Sequence, residues 1–295
     1  TKTGRGCKRN KMDKELQNLA DEEILKYANV EVEKRLKREI VYLYRLLRFL
    51  RKNCPWDRVQ NHESLEKHMI EEAYEVCDAI EKSDKIILKE ELGDVLLQLV
   101  FHSILAEETD DFTIDDMILE ESQKMIRRHK HLFFKEDTKT VDKTLENWDN
   151  IKRKEHSYNS CSDEMKDVPK IFPALMRSSK IQSKASRIGF DWNEIDGAFQ
   201  KVKEEFNEVK EAYLENDQDH IEEEIGDLLF TVVNVSRFLE VDPEKALNRS
   251  TDKFMKRFEQ VENMAEKQGR SLTEMSLKEM DNLWEKAKVV VSRNS

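Results

Sequence analysis

Two stretches of this chain are copies of one another. Residues 71–80 read EEAYEVCDAI and residues 204–213 read EEFNEVKEAY, while EELGDVLLQLV at 90–100 is answered by EEIGDLLFTVV at 223–233. Both blocks recur after the same shift of 133 positions, so the turn that separates them has one length in each copy. Chance likeness between Glu-rich helices would not preserve that register, and an internal duplication sets the domain count before any motif is considered. Looser echoes surround the core of the repeat. Trp56 in NCPWD answers Trp192 in GFDW, Lys124 and Arg128 answer Lys253 and Arg257, and Trp148 answers Trp284.

The repeat predicts two domains, at 36–155 and 170–295, joined by a polar linker over 156–169 that closes on the breaker Pro169. Residues 1–35 have no counterpart and read as an N-terminal extension. Seven glycines and four prolines in 295 residues, with 38% of positions charged, favour long amphipathic helices over turn-rich sheets. An all-α fold follows. The 62 acidic residues outnumber the 51 basic ones, and a net charge of −11 repels a nucleic acid backbone. No strong basic stripe appears beyond Lys8 to Lys14. Cys7, Cys54, Cys77 and Cys161 are scattered, with no zinc spacing and no disulfide framework, which fits a reducing cytoplasm. With no apolar run near bilayer length and no signal-peptide core, the expectation is a soluble, unexported chain that meets neither membrane nor nucleic acid. It begins with Thr rather than Met, which leaves room for a preceding segment.

Within each copy the acids have a geometry. Glu72 and Glu75 stand three apart, as do Glu91 and Asp94, so each pair projects from one face of its own helix. Positions 72 with 94 and 75 with 91 are both centred on residue 83, beside the turn-forming Ser83 and Asp84. An antiparallel hairpin folded there brings the pairs level. Glu205, Glu208, Glu224 and Asp227 repeat the pattern about Asn216 and Asp217. The apolar runs VLLQLV and LLFTVV that follow predict helices buried on most sides. Acids converging there repel one another unless protonated, paired with cations or clamped on an ion, and oxygen-only ligands favour magnesium, with manganese the second choice. A lone ExxE in so acidic a chain is an ordinary solvated face. Two pairs, centred on a turn and written twice, are not. Gly93 and Gly226, costly inside helices, imply close helix approach or ligand access.

Candidate phosphate ligands lie on the same copies. Lys253 and Arg257 share a helical face and could grip one polyphosphate, or be a solvated basic stripe. Lys201, four before Glu205, could reach a phosphate beside the ion. Trp148 and Trp284 read as base-stacking platforms or as core anchors. The seven histidines form no spacing repeated in both halves, no carboxylate helix carries the ExxH of a di-iron bundle, and GxxxxGK[ST] is absent.

Taken together, the paired ExxE and ExxD elements, CPWD before the first and PALMRSSKIQSKASRIGFDW (173–192) before the second resemble full-length bacterial MazG, over about residues 36–290. The resemblance implies two tandem MazG-like helical bundles and a dimeric, magnesium-dependent enzyme that hydrolyses nucleoside triphosphates to monophosphate and pyrophosphate with broad base tolerance, a house-cleaning role. It implies that Glu205, Glu208, Glu224 and Asp227 hold metal, that Glu72, Glu75, Glu91 and Asp94 are their first-half counterparts, and that Lys201, Lys253, Arg257 and Trp284 contact nucleotide. His220 stands where members often carry a nucleotide-contacting Lys. The C-terminal half is expected to carry the activity, by in-line attack of a metal-activated water with Glu204 or Glu208 as base. Two other readings remain at this point: a narrower dUTP or phosphoribosyl-ATP pyrophosphatase, and a non-catalytic helical scaffold.

Overall fold

The computed structural model describes residues 3–134 and 140–293, leaving aside the side chains of 3–13, 141–142, 145–146 and 293. Cys7 and all of the Lys8–Lys14 run except Lys14 therefore lie outside the described side chains. Every regular element among the described residues is helical, as an all-α fold requires, and contacts divide the chain into units at Thr1–His156 and Ser157–Ser295.

The first unit runs through α1 (Thr3–Leu25), α2 (Val30–Asn53), α3 (His62–Glu81), α4 (Lys85–Glu108), α5 (Ile114–Arg128), α6 (Lys130–Phe133) and α7 (Val141–Glu155). Its centre is the α3–α4 hairpin. Asn61 opens α3 through a capping box with Ser64, and Asp84 opens α4 by accepting hydrogen bonds from the amides of Ile86 and Ile87. Between them Ser83 takes a left-handed conformation, φ 56°, which reverses the chain within three residues. Leu47 of α2, Leu65 of α3 and Val100, Phe101, Ile104 and Leu105 of α4 form the core, each such side chain contributing roughly 1.5–3 kcal/mol on burial. The helix α1 packs on α5 and α6 through Leu16, Ala20 and Ile126. The unmatched N-terminal stretch is thus part of the first unit's packing from Leu16 onward.

The second unit comprises α8 (Cys161–Lys166), α9 (Ala174–Arg187), α10 (Ile195–Glu215), α11 (Gln218–Phe238), α12 (Pro243–Lys267) and α13 (Leu277–Arg293). The α10–α11 hairpin repeats the device of the first. Asn216 is left-handed at φ 56°, and Asp217 accepts from the amides of Asp219 and His220. Two ties anchor α11: Gln182 of α9 donates to the Phe230 carbonyl at 2.7 Å, and Arg237 holds Asp191 at 2.7 Å. At the start of α10, Gly197 lies under the Trp192 ring, where a Cβ would come within 2.4 Å of it. The pair α12–α13 closes its own core of Val261, Ala265, Met275, Leu283 and Ala287.

Three expectations need correction. The polar stretch expected to act as a linker contains α8, whose buried Glu164 bridges Lys184 of α9 at 2.7 Å and meets Arg187 at 3.7 Å, so that its charge is compensated on burial. The apolar runs are only partly buried: in α4 Gln98 and Val100 are buried but Leu96 and Leu99 are exposed, and in α11 Leu229, Phe230 and Val232 are exposed within their unit. Helix α11 meets α9, α10 and, marginally, α12 on part of its circumference only, and an all-round apolar composition does not say how many neighbours one chain supplies. Finally, a Cβ at Gly93 or Gly226 would meet no atom within 4 Å, so close helix approach does not explain either glycine and open space lies beside both.

Candidate metal and nucleotide site

In each hairpin the turn sets two helices side by side with their acids level. Glu205, Glu224 and Asp227 each offer an oxygen within 4.8 Å of the others, and Glu72, Glu91 and Asp94 do the same in the first unit. Carboxylates this close repel one another, and two members of the first cluster show it. Burial, then the charges of Asp94 and Glu75, push the Glu72 carboxyl above the usual range, and burial followed by Glu75 and Asp94 does so for Glu91. The fourth acid of each set lies beside the cluster. Glu75 hydrogen-bonds Glu72 and Glu91, and Glu208 hydrogen-bonds Glu205, an interaction that raises the Glu208 carboxyl ahead of burial and the Glu205 charge.

Donor chemistry and spacing both suit a hard divalent ion, because three carboxylate oxygens meet with no nitrogen or sulfur in the set. In the second unit an internal cation partly neutralises them. Lys201 sits one turn before Glu205, its Nζ 2.7 Å from Glu205 and 2.5 Å from Glu204. Both hydrogen bonds, Glu204 first, hold the ammonium well above its usual range. On the other helix, His220 reaches Glu224 at 3.2 Å and Glu215 at 3.1 Å, and the Glu215 contact chiefly raises its proton affinity. Thus Lys201, Glu204, Glu205, Glu208, His220, Glu224 and Asp227 belong to one constellation. The first unit places His68 where the second has Lys201, and it pairs with Glu71 at 3.0 Å.

Lys253, Arg257 and Trp284 form a separate group on α12 and α13. The Arg257 guanidinium lies 5.9 Å from the Trp284 ring centroid, and Phe254 packs on the same ring at 5.1 Å. Trp284 also leans on the α12–α13 core, so it anchors the pair of helices whatever else it does. Lys253 is exposed, and among the described residues neither cation has an ion-pair partner. The first unit has the same arrangement, Arg128 lying 5.6 Å from Trp148, with one addition that sequence reasoning missed: Glu155 accepts hydrogen bonds from Arg128 at 2.8 and 2.9 Å. Its signal was the acid seven residues beyond Trp148, two helical turns along the same face.

A helical hairpin carrying a cluster of three carboxylates, duplicated and followed each time by a cation–tryptophan pair, defines a tandem all-α class in which two acid sites are built alike. The model of the MazG nucleotide pyrophosphohydrolase domain matches the chain twice, at residues 60–133 and 196–262. The chain is 44% identical to the nucleoside triphosphate pyrophosphohydrolase/pyrophosphatase MazG of Thermotoga maritima, over 80% of its own length and 89% of that protein. It is 36% identical to a nucleoside triphosphate pyrophosphohydrolase of Escherichia coli K12, over 80% and 90% respectively. It is also 42% identical to the uncharacterized protein YabN of Bacillus subtilis, over 90% of this chain but 55% of that longer protein. This chain belongs to the MazG family.

Proposed function

We propose that this chain hydrolyses nucleoside triphosphates to monophosphate and pyrophosphate, that magnesium is the ion held by Glu205, Glu224 and Asp227, and that the second half performs the turnover. The observation that carries the reading is the Glu205–Glu224–Asp227 cluster, three oxygen donors within 4.8 Å in a chain of this family. Bound there, the ion supplies neutralisation of phosphate charge. Manganese has the same donor preference.

The chain's own groups have separable tasks. Glu208 lies beside the cluster with a raised proton affinity, which suits a base that takes a proton from the attacking water. Glu204 is the weaker choice because Lys201 already occupies it. Lys201, released from Glu205 when an ion enters, is placed to meet a phosphate oxygen, and His220 can donate at the far edge of the cluster. Lys253 and Arg257 hold the rest of the polyphosphate, the guanidinium fork being suited to bidentate contact. Trp284 holds Arg257 in place and offers a ring edge to a base.

The exposed Leu229, Phe230 and Val232 on α11, with Phe206 and Tyr213 on α10, support assembly as a homodimer, since apolar surface of this kind is costly to leave in water. Cys54, Cys77 and Cys161 are free, and no described helix is long and apolar enough to cross a membrane, which supports a cytoplasmic setting. The division into two bundles, with α1 joining the first and α8 the second, is part of the same reading. Incubating the protein with a panel of triphosphates and magnesium, and analysing the products, tests it. Monophosphate and pyrophosphate from several bases are expected. Diphosphate with orthophosphate, or inertness, would overturn it, and turnover of one base alone would favour a narrower pyrophosphatase.

A further inference from the structure

The two halves differ in what their phosphate-directed cations already hold. In the first, Arg128 is buried and donates through Nε and Nη2 to one oxygen of Glu155, at 2.9 and 2.8 Å, while Arg127 Nε reaches the other oxygen at 3.2 Å. This is a carboxylate held by two guanidinium groups, the arrangement a phosphate oxyanion would otherwise adopt. Although burial pushes the Glu155 carboxyl up, the hydrogen bonds from Arg128 and Arg127 keep it below the usual range. The neighbouring cation is occupied too, Lys124 pairing with Glu121 on its own helix.

In the second half both acids are missing. Aligned on the tryptophans, Glu155 corresponds to Val291; aligned on the cations, Glu121 corresponds to Ser250. The arginine–tryptophan geometry is otherwise alike, 5.9 Å against 5.6 Å. Arg257, in place of Arg128, has a buried Nε with no hydrogen-bond partner among the described residues. A half-buried donor without a partner is expensive, and a ligand oxygen would satisfy it.

We propose that Glu155 fills, in the first half, the anion position that a triphosphate takes in the second, so that the first half keeps an ion-binding acid cluster but is closed to nucleotide by its own carboxylate. The inference rests on the proposed function, because it takes the Arg257 position as a phosphate ligand. One carboxylate closes the site, and the valine at the equivalent position leaves its twin open. The acid cluster itself is present in both halves.

Counting sites on the full chain tests this, with the α,β-methylene analogue of ATP and magnesium in equilibrium dialysis. One site per chain is expected for the unaltered protein, two for Glu155→Val, and a second-half affinity at least tenfold weaker for Val291→Glu. Glu155→Val that melts cooperatively but still binds one analogue would overturn the inference, as would two sites before any substitution. Should Glu155→Val fail to fold, Val291→Glu decides alone, and unchanged affinity there overturns the inference. Absence of any binding by the unaltered chain would instead overturn the proposed function, and this inference with it.

Discussion

Lys201 reaches forward to Glu205 across one helical turn, its Nζ 2.7 Å from a carboxylate whose residue is only 4% exposed. The pair places a built-in cation at the edge of an acid cluster whose other two members come from the next helix. Removing one partner of such a buried pair leaves a charge without compensation.

Lys201→Met is therefore expected to destabilise the metal-free protein by roughly 3 kcal/mol, the low end for breaking a buried pair, because the lysine itself is half-exposed. Saturating magnesium should recover most of the loss, since an ion bound to the folded state alone stabilises it by mass action. Thermal melts in chelator and in magnesium check both statements. Equal losses under the two conditions would show that Glu205 does not depend on cationic compensation.

Asp227 and Asp94 occupy equivalent corners of the two clusters, so substituting each separately locates the working site. Asp227→Ala is expected to lower turnover by more than about a hundredfold while helix content is unchanged, because an ion contributes several kcal/mol of charge stabilisation to phosphoryl chemistry. Asp94→Ala should cost much less. Initial rates with a saturating triphosphate measure this, and a loss at Asp94 as large as that at Asp227 would move the active half to the first unit.

Glu279 supplies a pH test of the helix pair that carries Trp284. The hydrogen bond from Arg270, at 2.6 Å, and those from Ser276 hold its carboxyl down to about 2, against an ordinary 4.5. A carboxylate depressed in the folded state contributes stability that is present above 4.5 and is lost as the pH falls from there toward 2. Glu279→Gln should flatten that part of the pH–stability curve and leave its slope above pH 5 unchanged. Melting temperatures across a pH series read it directly, and parallel curves for both proteins would refute the assignment.

Much of this was open to reading along the chain. The hairpin turns at Ser83 and Asn216, and the levelling of Glu72 with Asp94 and Glu205 with Asp227, follow from helical periodicity and a shared turn length, both local properties. The histidine at position 220 was visible as an odd residue, although its grip on both Glu215 and Glu224 was not. The exposed faces of α4 and α11 were hidden, because composition reports how apolar a helix is and not how many neighbours surround it.

Periodicity and register in one dimension thus dictated the helices, their duplication and the acids that share a face, since each depends on residues a few positions apart. Only tertiary packing could decide that Glu155 closes on Arg128 while Arg257 keeps an unpartnered nitrogen, or that Glu75 and Glu208 stand beside their clusters. Those outcomes depend on how far each helix is rotated about its axis against a distant neighbour, and a few degrees there separate a hydrogen bond from open space.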